Sequence, residues 1–154
     1  MSVRRLNHAV LYVREARRAA AFYRDALDFE VVTDVGNGAA VFMRASGTDN
    51  HHDLGLFSLG NDAPGPQPGR VGLYHLAWQV ASIHDLVDMR DRLSRLGALV
   101  GASDHGVSKS LYAKDPDGNE FEVMWEVPRD AWGTYETDAP VMPLDLDAEL
   151  ARFG

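Results

Sequence analysis

The sequence predicts an α+β chain of two tandem βαβββ modules, and three observations carry that prediction. The order strand, helix, three strands is legible twice along the chain. GNDAPGPQPGR (60–70) separates the two passes, with three Pro and three Gly in eleven residues, too many for regular structure. HAVLYV at 8–13 is echoed by HLAWQV at 75–80, an offset of 67 residues, and each copy opens on a histidine. A lone βαβββ unit leaves a sheet face exposed. Two can form a half-open, barrel-like sheet around a shared cavity. The expected organisation is a first module at 1–59, a linker at 60–70, a second module at 71–127 and a C-terminal extension at 128–154.

Each element has its own signal. LNHAVLYV (6–13) is a short β-rich run. Residues 15–27 read as an amphipathic helix, with Ala16, Ala19, Ala20, Tyr23 and Leu27 at helical spacing and Arg on much of the remaining face. EVVTDV (30–35), AAVFMRA (39–45) and DLGLFSL (53–59) are strands, the first two joined by a GNG turn. Past the linker come the strand GLYHLAWQV (72–80) and a helix over 82–97, with Ser82 as N-cap and Gly97 at its C-terminal end. ALVGA, KSLYAKD and EFEVMWEV supply three more strands, the last two joined by the turn DPDGN (115–119). The extension ends in a short helix near 145–152. It packs on the body or on a partner subunit, and the sequence does not choose between them.

Composition narrows the function. Of 154 residues, 45% are hydrophobic and 25% charged, as in an ordinary soluble globular chain. There is no cysteine, which excludes disulfides, thiolate metal sites and cysteine nucleophiles. A formal charge of −8 with no basic patch argues against nucleic acid or anionic membrane as partners. MSVRRLNHAVLYV has no apolar stretch long enough for a signal peptide or a spanning helix, so a cytoplasmic protein is expected.

Strand parity singles out three residues. His8 lies on the Leu6, Val10, Tyr12 face of the first strand, and His75 with Ala77 and Gln79 on the equivalent strand of the second module. Glu122 alternates with Phe121, Val123 and Trp125, whose side chains face the helices, so Glu122 faces the cavity. A single strand histidine is ordinarily structural. Two at equivalent places of a duplication, with a carboxylate in an otherwise apolar strand, make a 2-His-1-carboxylate set. Such a set leaves coordination positions open, as in non-haem Fe(II) oxygenases; Mn(II) suits it too.

The most specific stretch is DHGVSKSLYAKDPDGNEFEVMWE (104–126). With the two histidine strands, it resembles the vicinal oxygen chelate superfamily, the fold of glyoxalases, bleomycin resistance proteins and dihydroxybiphenyl dioxygenases. Within it the likeness is to the type I extradiol, catechol 2,3-dioxygenase-like enzymes. The resemblance covers about residues 4–127, and PLDLDAEL in the tail is also similar to single-unit members. It implies an Fe(II) enzyme that inserts both atoms of O2 into a small aromatic diol, with His8, His75 and Glu122 as metal ligands. By the same resemblance His52 in HHDLGLF is the acid/base, with His51 as the alternative if the register slips, and His105 and Tyr112 hydrogen-bond the substrate. His84 is left as a surface residue. Pocket walls are expected near Phe42, Tyr74 and Trp78, and a homo-oligomer, dimeric or larger, is expected.

The fold hosts other functions. A glyoxalase-like lyase or isomerase usually adds a fourth ligand, a carboxylate from the last strand of the first module. There Leu54 and Leu56 hold the alternate positions, and Asp53 at the strand edge is kept as a remaining candidate. Drug-binding resistance proteins of the same fold lack the metal ligands that this chain retains.

Overall fold

The computed structural model describes residues 2–154; Met1, which opens the first expected module, lies outside the described residues. The strands are β1 (Ala9–Val13), β2 (Glu30–Val35), β3 (Ala40–Arg44), β4 (Leu54–Ser58), β5 (His75–Val80), β6 (Leu99–Asp104), β7 (Ser108–Lys114) and β8 (Glu120–Glu126). The helices are α1 (Ala16–Leu27), α2 (Ile83–Arg95) and α3 (Leu146–Phe153). Two short 3-10 turns, Arg129–Ala131 and Gly133–Thr137, lie between β8 and α3.

The strands form two four-stranded mixed sheets with the orders β1-β4-β3-β2 and β5-β8-β7-β6, the same topology twice. In each, the first and last strands of the module pair in parallel and the other pairs are antiparallel. Even the irregularities repeat: a register shift falls between Val31 and Thr33 in β2 and between Leu99 and Gly101 in β6. Such a bulge adds one residue on one strand and bends it.

The chain divides into two compact units. Unit 1 runs through Gln67 and takes in Asp115–Gly118; unit 2 comprises Pro68–Lys114 and Asn119–Gly154. The break at Gln67 lies within the expected linker. The inclusion of Asp115–Gly118 in unit 1 is not legible from the sequence order.

In unit 1, α1 starts where the Glu15 carboxylate accepts from the Arg17 and Arg18 amides, and it buries Ala16, Ala19, Ala20, Tyr23 and Ala26. Small residues on that stripe let the helix lie close to β3 and β4, whose Val41, Met43, Leu54 and Leu56 are buried. In unit 2, Ser82 caps α2 by accepting from the Asp85 amide, and Ile83, Leu86 and Leu93 are buried with Leu111, Phe121 and Val123 of the sheet. Each such side chain contributes about 1.5–3 kcal/mol of transfer free energy.

The Asp115–Gly118 turn is held by side chains of unit 1. The Tyr23 hydroxyl donates to Asp115 at 3.2 Å, the Arg14 amide and guanidinium donate to Asp117 at 2.9 and 3.0 Å, and Arg18 also pairs with Asp117. Gly118 sits at φ +90°, a backbone region closed to most side chains, which is why the turn carries glycine there.

The C-terminal extension packs on unit 2. Met142 bridges to Asp104, the Phe153 ring meets that of Trp125 at a tilt with centroids 5.3 Å apart, and the buried Lys109 ammonium lies between Asp104 (2.6 Å) and Glu149 (3.4 Å). No helix among the described residues is long and apolar enough to cross a membrane.

Two expectations need adjusting. β1 begins at Ala9 rather than Leu6, so His8 precedes the strand. Its partner β4 begins at Leu54, so ladder pairing starts only at Ala9. β5 likewise begins at His75, its ladder starting opposite Glu120, and Leu73 and Tyr74 before it are exposed.

Candidate active site

The six expected site residues fall into two groups, one in each unit. In unit 1, His8 stands just ahead of β1, and its ring centroid is 4.5 Å from that of His52, which lies two residues ahead of β4. Phe42 of β3 meets the His52 ring edge-on at 5.0 Å. Burial, first, and then the neighbouring His8 and His51 imidazoles hold the His52 pKa below its ordinary value. His51 is exposed and meets His52, with the two Nδ1 atoms 3.1 Å apart.

Asp53, kept open as a ligand, is committed elsewhere. It is buried and accepts from the Ala45 amide (2.9 Å), the Thr48 hydroxyl (2.9 Å) and the Asn50 side-chain amide (2.7 Å). The position that would carry a fourth carboxylate also needs correction. Leu54 and Leu56 are fully buried in the core. In the parallel ladders Val10 stands opposite Gly55 as Ala77 stands opposite Glu122, so Gly55 is the counterpart of Glu122. Alternation identifies a face, but only pairing identifies the register. The conclusion that no fourth carboxylate occupies that place is unchanged.

In unit 2, three of the residues share one sheet face, and His105 reaches them from the loop between β6 and β7. His75 opens β5, Glu122 is central in β8, and Tyr112 of β7 lies directly opposite Glu122. His75 Nε2 is 3.0 Å from Glu122 Oε2, and the His75 and Tyr112 rings are 5.7 Å apart. The Tyr112 hydroxyl is 2.8 Å from His105 Nε2, and His105 Nδ1 is 2.8 Å from the Pro140 carbonyl oxygen.

That last contact sets a direction. A carbonyl only accepts, so His105 Nδ1 carries hydrogen; in the neutral ring Nε2 is then the acceptor and Tyr112 donates to it. Burial, then the charge of Glu122, holds the Tyr112 phenol above its ordinary pKa, so it keeps its proton. Gly106, beside His105, has φ +77° and carries the Tyr135 ring so close that a Cβ would stand 2.4 Å from it. The extension thus shapes this group through a main-chain carbonyl and a ring. The sequence reading missed both, and a carbonyl leaves no residue-type signal to find.

The donors of unit 2 suit a metal. An imidazole Nε2 and a carboxylate oxygen at 3.0 Å are of the right chemistry to converge on one ion. The His75 Nδ1 is buried with no hydrogen-bond partner among the described residues. Among the described residues no group of three or more His, Cys, Asp or Glu is placed to hold a metal ion.

The sequence profile of the Glyoxalase/Bleomycin resistance protein/Dioxygenase superfamily matches residues 5–123. Biphenyl-2,3-diol 1,2-dioxygenase 3 of Rhodococcus globerulus is 35% identical over 122 residues, 78% of this chain and 62% of that protein. Catechol-2,3-dioxygenase of Bacillus subtilis is 30% identical over 153 residues, 97% of this chain and 52% of that protein. The chain therefore spans about half to three-fifths of the length of these relatives. Among solved structures, lactoylglutathione lyase from Agrobacterium tumefaciens aligns with a TM-score of 0.57 at 27% identity, over 82% of this chain and 94% of that one. With the doubled topology and the profile match agreeing, the chain belongs to the Glyoxalase/Bleomycin resistance protein/Dioxygenase superfamily.

Proposed function

We propose that the chain is an extradiol dioxygenase that opens a catechol-type ring with O2, with His8, His75 and Glu122 holding Fe(II) and Mn(II) as the alternative ion. The observation that carries this reading is the unit 2 group: His75 and Glu122 at 3.0 Å, with Tyr112 on the same face and hydrogen-bonded to His105. A metal held by two imidazoles and one carboxylate keeps positions open, where it would bring an aromatic diol and O2 together and activate them.

The remaining roles belong to side chains. Tyr112 donates to His105, so the free lone pair of its oxygen accepts from a substrate hydroxyl and orients the ring. A proton arriving at the Tyr112 oxygen passes along the same hydrogen bond to His105 Nε2. His52 moves a second proton between substrate and reacting oxygen. Its depressed pKa keeps it neutral and ready to accept at neutral pH. Phe42 beside it supplies an apolar wall. The likeness to named dioxygenases at 30–35% identity supports the reading. A glyoxalase-like lyase is the second reading, favoured by the lactoylglutathione lyase structure and disfavoured by Gly55.

The test is direct. Protein is loaded with Fe(II) anaerobically, mixed with catechol and substituted catechols, and exposed to air. Oxygen uptake with a yellow ring-cleavage product, dependent on Fe(II), is the expected result. Protein that holds one metal per chain yet turns over no catechol would overturn the dioxygenase assignment.

A further inference from the structure

We infer that Asn7 and Asn50 are positioning residues that set the proton on His8, leaving Nε2 as the lone-pair donor for the metal. This rests on the metal reading above. Hydrogen-bond direction fixes each group in turn, starting from Asp53. Its Oδ2 is occupied by the Ala45 amide and the Thr48 hydroxyl, and its Oδ1 lies 2.7 Å from Asn50 Nδ2. A carboxylate only accepts, so the nitrogen of the Asn50 amide faces it; that nitrogen also donates to the Asn7 main-chain carbonyl at 2.8 Å.

The other end of the Asn50 amide confirms the orientation independently. Its Oδ1 receives the Arg5 guanidinium at 2.7 Å, and arginine has only donors. The same oxygen receives Asn7 Nδ2 at 3.0 Å. The Asn7 amide is thereby turned with its nitrogen toward Asn50 and its oxygen toward His8, whose Nδ1 lies 2.9 Å from it. An amide oxygen only accepts, so His8 Nδ1 carries the hydrogen. In the neutral ring Nε2 then has the free lone pair, the form a metal needs.

Four groups in series, Asp53, Asn50, Asn7 and His8, thus each fix the direction of the next. The buried end, Asp53 and Asn50, anchors the exposed end. Nothing equivalent holds His75, whose Nδ1 has no hydrogen-bond partner among the described residues. His8 is the ligand outside a strand ladder, and the relay supplies the orientation that a ladder would otherwise give.

The test reads the proton itself. In metal-free protein at about pH 8.5, where an imidazole of ordinary pKa is neutral, long-range ¹⁵N–¹H spectra of the histidines, assigned with a His8→Gln variant, report the tautomer. Wild type is expected to hold the hydrogen on His8 Nδ1. Asn7→Leu, a surface change that leaves the core intact, moves it toward Nε2. Asn7→Asp, which keeps an acceptor oxygen, retains the wild-type tautomer. Mn(II) titration of the same proteins is expected to show affinity lowered on the order of 10-fold in Asn7→Leu and retained in Asn7→Asp. Wild-type protein that binds Mn(II) but carries the hydrogen on Nε2, or an Asn7→Leu protein with both tautomer and affinity unchanged, overturns the relay alone. Wild-type protein with the expected tautomer that takes up no Mn(II) overturns the metal reading, and the inference with it.

Discussion

Opposite Val10 in unit 1 stands Gly55; at the matching place in unit 2, opposite Ala77, stands Glu122. The ladders around the two positions are alike. A Cβ on Gly55 would meet Phe42 and Val10 at 3.4 Å, so that side of unit 1 is filled by apolar neighbours. Glu122 is buried against an imidazole and opposite a tyrosine. One backbone thus carries two chemical settings. Unit 2 has the carboxylate and a hydrogen-bonded tyrosine–histidine pair. Unit 1 has His8, hydrogen-bonded to the Asn7 side chain, and His52 beside a phenylalanine.

On the proposed function the two settings carry separate tasks, which mutation can separate. The largest effect belongs to the unit 2 carboxylate. Glu122→Ala is expected to abolish both metal uptake and turnover, measured by metal content after desalting and by oxygen consumption. Retained metal in that variant would erase the contrast between the units. Next is His52→Ala in unit 1, expected to keep the metal and lower turnover by roughly 10²–10⁴-fold. Unchanged turnover would remove the acid/base role from unit 1.

The smallest effect concerns stability and tests whether unit 1 governs the alkaline limit. Tyr23 is buried, and burial first, then Asp115, raises its phenol pKa well above the ordinary value. The unfolded chain therefore loses this proton first. The stability tied to it is complete below about pH 10 and declines as pH rises toward the folded value. Tyr23→Phe should cost about 1 kcal/mol at pH 8, where Asp115 loses a donor, and should flatten the decline in urea stability above pH 10. An equally steep decline in the variant would locate the alkaline sensitivity elsewhere.

How much of this was legible in the sequence follows from how far each determinant reaches. Ser82 and the DPDGN turn are local signals, and the structure has the cap and the turn where those residues predict them. β2 has the predicted bounds because turn residues flank it. Where a boundary depends on a distant partner, the reading shifted: His8 fell outside β1 because β4, more than forty residues on, begins at Leu54. Parity alone points to Leu54 and Leu56 as the fourth-ligand position because it carries no information about the neighbouring strand; register points to Gly55 instead. Strand parity marks His8, His75 and Glu122, and the family resemblance adds His52, His105 and Tyr112; the structure groups His8 with His52, and His75 with Tyr112, His105 and Glu122. The Pro140 carbonyl belongs to the main chain, and Asn50 is 43 residues from Asn7, so neither left a local pattern.

The four-residue turn Asp115–Gly118 has a consequence for synthesis. Unit 1 is nearly all encoded by residue 67, yet Arg14, Arg18 and the Tyr23 hydroxyl find Asp117 and Asp115 only in that later segment. On the ribosome, where domains generally fold as they emerge, the first repeat can collapse early but cannot finish. Its last polar partners arrive only after three strands and a helix of the second repeat have been translated, so the duplicated halves mature in an interleaved order.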